Sequence, residues 1–250
     1  MTQVDACDAL AIAAREIARH VAQGSTLWTV APGLEDHARH LAVEYVHPAS
    51  VGAMAVPAIA VVDDWDVAIR TLRKQAQPGD VIISMGTTGS TPIADLSLRS
   101  VAWGTDHVHI GWPDATSTVP PDPRTFIVTL GPDSSAEKLL TRAYHLLWEL
   151  TFVCLQNNRI TKGVVDTASV PTSTPASCSV CSDEAITTEV VEVLADHMAR
   201  VRTACGPDVV DVSLIDDVRT NDLILVHAGT ALRRWDVASH RHRSAGQGDE

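Results

Sequence analysis

The chain has 250 residues, of which 45% are hydrophobic and 20% are charged, proportions typical of a globular protein with a hydrophobic core. The 19 Lys and Arg against 31 Asp and Glu leave a formal net charge of −12 at pH 7. This balance argues against nucleic acid or an anionic membrane as the main partner, because either would need a basic surface.

The first 25 residues predict no export signal. Charged side chains, among them Asp5, Arg15 and Glu16, interrupt the apolar residues there and leave no signal-peptide core. No run of about 18 apolar residues exists, so the sequence predicts no membrane span. We therefore expect a cytoplasmic protein with reduced thiols, in which a close cysteine pair is more often a metal or redox site than a disulfide.

The first 158 residues alternate predicted helices with short apolar strands. A helix from Asp5 to about Gln23 has apolar residues at helical spacing and ends before Gly24. Further predicted helices span about 34–45, 66–75 and 136–156, and predicted strands span Leu27–Val30, Ala58–Val62, Val81–Ser84, Asp106–Ile110 and Phe126–Leu130. Short apolar strands between helices are typical of a parallel sheet covered on both faces. We expect a doubly wound α/β domain over residues 1–158.

The composition changes beyond residue 158. Residues 159–177 are rich in Ser, Thr and Pro and are predicted to form an extended linker. Four short β-type segments follow, at Ile186–Val193, His197–Thr203, Val209–Leu214 and Leu223–His227. Their spacing predicts a small antiparallel β-barrel over residues 178–237, followed by a disordered polar tail at 238–250.

Two of the predicted helices carry an imidazole and a carboxylate on one face. His40 and Glu44 are four residues apart, and Glu137 and His145 are two helical turns apart. Such a set could enclose a divalent ion such as zinc, or provide a general acid and base for moving protons on a sugar carbon. Two solvated helix faces are the alternative interpretation of the same spacing.

A loop rich in hydroxyl groups follows the predicted strand Val81–Ser84. Its hydroxyl groups belong to Thr87, Thr88, Ser90 and Thr91, and Pro92 indicates the start of a helix. Backbone N–H groups and a helix dipole at such a position favour a phosphate group. No Lys follows Gly89, so this is not a Walker A loop, and a plain strand–helix turn is the alternative.

Residues 1–158 resemble the SIS (sugar isomerase) family, and within it the phosphoheptose isomerases. His37-Ala-Arg-His-Leu-Ala-Val-Glu-Tyr-Val46 is similar to the family's helix with a metal-binding His and a catalytic Glu, and Gly86-Thr-Thr-Gly-Ser-Thr91 is similar to its phosphate loop. The resemblance implies Glu44 and His145 as base and acid. It also implies a phosphosugar ligand and homo-oligomers formed through the helices.

The same resemblance implies which residues bind metal and phosphate, and the chain differs from the family at some of these positions. It implies zinc binding by His40, Glu44, Glu137 and His145, and phosphate binding by Thr87, Thr88, Ser90 and Thr91. The chain departs from the family's pattern at Ala31-Pro-Gly-Leu34, where the family has Asn-Gly-Gly-Ser. It also has Glu137 where the family has Gln, and Gly86 where it has Ser.

Cys178-Ser-Val-Cys181 lies where the predicted linker meets the predicted barrel. No second cysteine pair follows at zinc-ribbon spacing, which argues against a closed structural zinc site. The pair does not open a helix after a strand, which argues against a thioredoxin-like redox role. An exposed thiolate pair for a soft metal is one interpretation, and two incidental linker cysteines are the other. Cys7 and Cys154 lie on predicted helices, where burial is the default, and Cys205 lies in a predicted turn.

The segments Ile186-Thr-Thr-Glu-Val-Val-Glu-Val193 and Asn221-Asp-Leu-Ile-Leu-Val-His-Ala-Gly-Thr-Ala231 resemble the HypC/HupF family of hydrogenase maturation chaperones, which are small OB-like barrels. The resemblance implies iron binding by Cys181 or Cys178 together with His227. It implies a role in carrying the Fe(CN)2CO centre of [NiFe]-hydrogenase between a HypD-type scaffold and the hydrogenase large subunit. The family's cysteine normally follows the initiator Met, whereas both candidates here are internal.

The sequence therefore favours a fusion of an SIS-type domain with a HypC-type chaperone domain. We expect an accessory chaperone for hydrogenase maturation, with iron as its cargo and zinc as an additional metal in the first half. The alternative is a sugar-phosphate isomerase that uses Glu44 and His145.

Overall fold

The computed structural model describes residues 6–49, 53–113, 122–131, 136–157 and 185–235. The predicted linker at 159–177, the cysteines Cys178 and Cys181, and the predicted tail at 238–250 lie outside the described residues. None of the helices in the described ranges is long and apolar enough to cross a membrane.

The N-terminal half is a parallel sheet between two layers of helices. Its helices are α1 (Ala6–Val21), α2 (Glu35–Val46), α3 (Trp65–Gln75), α4 (Thr91–Trp103) and α5 (Ala136–Gln156), and its strands are β1 (Leu27–Val30), β2 (Ala58–Val61), β3 (Val81–Thr88), β4 (Asp106–Pro113) and β5 (Thr125–Thr129). The strand order is β2-β1-β3-β4-β5, with all four pairings parallel. The helices α1, α2 and α5 pack on one face and α3 and α4 on the other. The predicted doubly wound α/β fold is confirmed.

Strand β3 is longer than the sequence pattern predicts. It pairs with β4 from Val81 opposite Asp106 to Thr88 opposite Pro113, so the predicted end at Ser84 is wrong. The carboxyl-terminal parts of the two strands approach closely at a pair of glycines. A Cβ at Gly111 would lie 1.9 Å from the carbonyl oxygen of Gly86, so this approach leaves no room for a side chain at residue 111. Thr87 and Thr88 therefore lie on the strand, and the connection to α4 is short.

The C-terminal half is a closed barrel of five strands. They are β6 (Ile186–Val193), β7 (Met198–Thr203), β8 (Gly206–Asp211), β9 (Leu223–His227) and β10 (Thr230–Arg234), in the order β10-β8-β7-β6-β9. The expected antiparallel pattern is wrong at one pairing, since Thr230 of β10 lies parallel to Asp211 of β8. The predicted four strands missed β10, because a bulge between Ala231 and Arg233 interrupts its alternation. Strand β8 also begins three residues before the predicted Val209, because the turn comes earlier, at Ala204 and Cys205.

The barrel docks on α3 and α4 through one buried carboxylate. Glu189 of β6 is 1% exposed. It accepts hydrogen bonds from the guanidinium groups of Arg73 and Arg99, and from the indole Nε1 of Trp103 at 2.7 Å. Because all three donors lie on the α/β half, the two halves are joined by an interface as well as by the chain. We call Glu189, Arg73, Arg99 and Trp103 the latch.

Two further contacts hold the same interface together. Arg202 of β7 donates to the carbonyl oxygens of Arg73 and Ala76 at the end of α3, and its guanidinium lies over the Trp103 ring, 5.5 Å from the centroid. Gly104 ends α4 in the left-handed conformation, with φ of 72°. A Cβ there would lie 2.9 Å from the carbonyl oxygen of Ala204, so the barrel turn approaches this glycine too closely for a side chain.

Candidate functional sites

Helices α2 and α5 are held side by side by polar contacts. The indole Nε1 of Trp148 donates to the carbonyl oxygen of Glu44 at 2.8 Å. The buried hydroxyl of Tyr45 lies 3.2 Å from that of Thr151, and the Tyr45 ring stacks on Phe152. These contacts fix the register of the two helices, so the side chains on their adjoining faces have defined positions.

The adjoining faces bring together three of the residues predicted from sequence. Glu44 Oε1 lies 3.2 Å from His40 Nε2 and 3.9 Å from His145 Nε2, and the two imidazole rings are 5.0 Å apart. One ligand atom from each of the three residues lies within 4.8 Å of the other two. The side chain of Glu137, the fourth predicted member, lies outside the described residues.

The orientation of His145 suits a metal ligand. Its Nδ1–H donates to the carbonyl oxygen of Thr141 at 2.7 Å, which leaves Nε2, 3.9 Å from Glu44 Oε1, as the ring nitrogen that faces the cluster. Metal-ligating histidines are commonly oriented by such a bond from the other ring nitrogen. Two imidazoles and a carboxylate are a donor set that zinc favours, so the residues present fit this ion.

Two neighbours of this cluster were missed by sequence reasoning. The ring of Tyr144 lies 5.7 Å from that of His40 and 4.9 Å from that of His145, and its hydroxyl is 3.4 Å from His37 Nδ1. Burial raises the pKa of Tyr144, and the charge of Glu44 adds to the shift. The phenol therefore stays protonated beside the two histidines.

The predicted phosphate loop lies at the carboxyl end of β3. Gly86 has φ of 140°, a conformation that side chains rarely adopt, which accounts for glycine where the resembling family has Ser. Ser90 precedes the first turn of α4, and its hydroxyl makes no capping bond to the helix. The Thr88 hydroxyl is 3.0 Å from His109 Nε2. Thr87, Thr88 and Ser90 are partly exposed and Thr91 is exposed, so a ligand could reach all four.

A row of buried polar side chains, also missed from sequence, runs from this loop beneath α4. Ser84, His107 and His109 are each 0% exposed. Ser84 Oγ lies 2.7 Å from His107 Nε2 and 2.8 Å from His109 Nδ1, and His107 Nδ1 lies 2.8 Å from Ser97 Oγ. Burial lowers the pKa of His107 to about 3, with His109 contributing, and burial lowers that of His109 to about 4. Both rings are therefore neutral near pH 7.

His227 ends β9 and is half-buried. It pairs with Thr230 across a tight turn in which Ala228 has φ of 46°. Among the cysteines in the described part of the chain, Cys154 is partly buried, whereas Cys7 and Cys205 are exposed. The expected burial of Cys7 on its helix is therefore wrong.

Comparison with known proteins finds different relatives for the two halves of the chain. No family model matches it. Its barrel region is similar to the hydrogenase maturation factor HypC of Rhizobium leguminosarum bv. viciae, at 38% identity over 52 residues, which are 21% of this chain and 69% of that protein.

The α/β half is similar to solved structures of phosphoheptose isomerases. The enzyme from Francisella tularensis matches 60% of this chain and 86% of its own with a TM-score of 0.50 and 12% identity. The enzyme from Neisseria gonorrhoeae matches 58% and 85%, with a TM-score of 0.41 and 14% identity. At these identities the first match shows a shared SIS-type fold, and activity does not follow from it.

Proposed function

Because the chain belongs, through its C-terminal barrel, to the family of the hydrogenase maturation factor HypC, we propose that it is an accessory chaperone of [NiFe]-hydrogenase maturation. Its cargo would be the Fe(CN)2CO centre. Its partners would be a HypD-type scaffold, which supplies this centre, and the hydrogenase large subunit, which receives it.

The register of two barrel strands carries this proposal. Ile186, the first residue of β6, lies opposite Val226, the residue before His227, so Ala185 enters the barrel at the strand end that carries His227. Cys181 is four residues before Ala185, a stretch of chain that spans at most about 14 Å when extended. Covalent geometry therefore allows a thiolate of Cys181, or of Cys178 with three more residues, to reach the imidazole of His227.

Thiolate and imidazole together suit an iron cargo. Thiolate is the soft ligand that iron–sulfur chemistry uses, and neutral imidazole also binds iron. A site with two protein ligands leaves room on the iron for the two cyanides and the carbonyl, which suits a carrier that must release its cargo.

The double substitution Cys178→Ala/Cys181→Ala should remove the iron from the protein. We expect the iron content of this chain, measured after it is separated anaerobically from a HypD-type partner, to fall to less than about a tenth of the wild-type amount. His227→Ala should lower it as well, because the second ligand is lost. Cys205→Ala is the matched control, since Cys205 is an exposed cysteine on the β7–β8 turn. An unchanged iron content in the double variant would contradict the proposal.

A second function is favoured by the cluster on α2 and α5. In a sugar-phosphate isomerase Glu44 would act as base and His145 as acid on neighbouring carbons of an open-chain phosphosugar. Glu44 and His145 could instead join His40 and Glu137 as ligands of a zinc ion, which would then polarise the substrate's carbonyl and hydroxyl oxygens. The phosphate group would lie at the loop between β3 and α4, where backbone N–H groups and the helix dipole favour an anion.

Zinc binding tests this second function apart from turnover. We expect the full chain to bind one zinc ion through this cluster, and His145→Ala or Glu44→Gln to weaken the affinity by about 10- to 100-fold or more, by analogy with losses at metal sites. His47→Ala is the control, because His47 is exposed at the end of α2 and outside the cluster. Glu44→Gln should also abolish any ketose-phosphate turnover. Equal zinc affinity in wild type and His145→Ala would exclude this site.

A further inference from the structure

Five side chains form a continuous hydrogen-bonded row from α4 to the end of β3. In order they are Ser97, His107, Ser84, His109 and Thr88, with successive distances of 2.8, 2.7, 2.8 and 3.0 Å. The three inner members are completely buried, and Ser97 is 3% exposed. Thr88 is the one member at the loop, so it is the end that a ligand could touch. We call this row the relay.

The direction of the hydrogen bonds in the relay follows from its buried end. Ser97 Oγ donates to the carbonyl oxygen of Ile93 one helical turn earlier. A serine hydroxyl has one hydrogen, so Ser97 accepts from Nδ1–H of His107. The ring is neutral, and its Nε2 must therefore accept from the hydroxyl of Ser84.

The same reasoning carries the direction to the loop. Ser84 has given its hydrogen to His107, so it accepts from Nδ1–H of His109. The neutral His109 ring then accepts at Nε2 from the hydroxyl of Thr88. In this direction every hydrogen of the relay has an acceptor within the protein. In the opposite direction the Thr88 hydrogen would have none within the relay.

We propose that the relay makes Thr88 a specificity-determining acceptor, which takes a hydrogen bond from a ligand hydroxyl and gives none to a phosphate oxygen. His109 is the positioning residue, since it holds the hydroxyl hydrogen of Thr88 away from the loop. A polyhydroxylated ligand fits this arrangement. Its anionic group would bind the backbone N–H groups at the start of α4, and one of its hydroxyls would donate to Thr88. The inference rests on the loop being a ligand site, as in the isomerase function above.

The tautomers of the two buried histidines test the direction without any variant. Two-bond ¹H–¹⁵N correlation spectra of the full chain at pH 7 should show both His107 and His109 as Nδ1–H tautomers. An Nε2–H tautomer or a charged ring at either position would overturn the proposal, because Thr88 would then be free to donate.

Binding to two probes tests the consequence at the loop. Thr88→Val should leave the affinity for inorganic phosphate within about twofold, because no bond to the oxyanion is lost. It should weaken ribose 5-phosphate roughly tenfold, the effect of one hydrogen bond, and Thr88→Ser should restore that affinity. A tenfold loss of inorganic phosphate in Thr88→Val would overturn the proposal. Failure of both probes to bind wild type, with Nδ1–H tautomers present, would refute the ligand site itself and the isomerase function with it.

Discussion

Glu189→Ala should lower the free energy of unfolding by about 3–5 kcal/mol, the usual cost of removing one partner of a buried ion pair. The carboxylate is 1% exposed and accepts from two guanidinium groups and an indole. Burial alone lowers the pKa of Arg99, but the bonds to Asp95 and Glu189 outweigh it and raise the pKa above its usual value. Without Glu189, the guanidinium of Arg73 would lose its buried carboxylate partner.

Urea denaturation of the full chain measures this cost. Glu192→Ala is the matched control, because Glu192 lies on the same strand, is half exposed and pairs with Arg200 at the surface. That change should cost less than about 1 kcal/mol. Amide exchange along β6 and α4 should rise in Glu189→Ala and stay constant in Glu192→Ala. Equal stabilities of the two variants would mean that the latch does not hold the halves together in solution.

Acid should destabilise the protein more steeply than its surface histidines would cause. His107 and His109 are neutral in the folded state, with pKa values lowered to about 3 and about 4, against about 6.5 in an unfolded chain. The unfolded state therefore binds more protons between these values. The stability that depends on the two rings being neutral is complete above pH 6.5. It is lost as the pH falls towards 4 and then 3, at about 1 kcal/mol per histidine and pH unit.

Unfolding free energies at pH 7, 6 and 5 reveal this effect as a slope. His109→Gln should be less stable than wild type at pH 7 because the relay is broken, and its stability should fall less steeply with acid. His47→Gln, a change at an exposed histidine, should leave both quantities unchanged. A wild-type stability that is flat from pH 7 to pH 5 would show that the two rings are accessible to solvent.

Most of the fold could be predicted from local patterns. The strands of the parallel sheet and four of its five helices were predicted within a few residues, because buried parallel strands read as short apolar runs between amphipathic helices. For α4 only the start, at Pro92, was predicted. The errors in element bounds lie where a strand is defined by residues of a neighbouring strand that are distant in sequence. The end of β3 depends on Gly111 of the neighbouring strand, and β10 is held in place by its partners β9 and β8.

In the candidate sites, too, contacts within one helix could be predicted and contacts between distant elements could not. His40 and Glu44 share a helix face, so their spacing predicts their contact, but their approach to His145 depends on how two helices pack. The relay joins Ser84 to rings 23 and 25 residues away on the next strand. One signal was present in the sequence: His107 and His109 alternate with the apolar Val108 and Ile110 on a predicted strand. Both rings therefore point to one face of the sheet and need polar partners there. Glu189, a charge directly before the apolar pair Val190 and Val191, was a similar signal for the latch.

The latch has a consequence for the chain between the halves. Residues 157 and 185 belong to docked bodies, so the segment 158–184 closes a loop between two fixed points. The entropic cost of closing a loop grows slowly, by about 0.6 kcal/mol for each doubling of its length, which is small beside the cost of breaking a buried ion pair. The arrangement of the halves is therefore insensitive to the length of this segment. We expect a reporter peptide inserted within 159–177, before both proposed iron ligands, to leave the interface intact, so this part of the segment suits labelling or the joining of a partner.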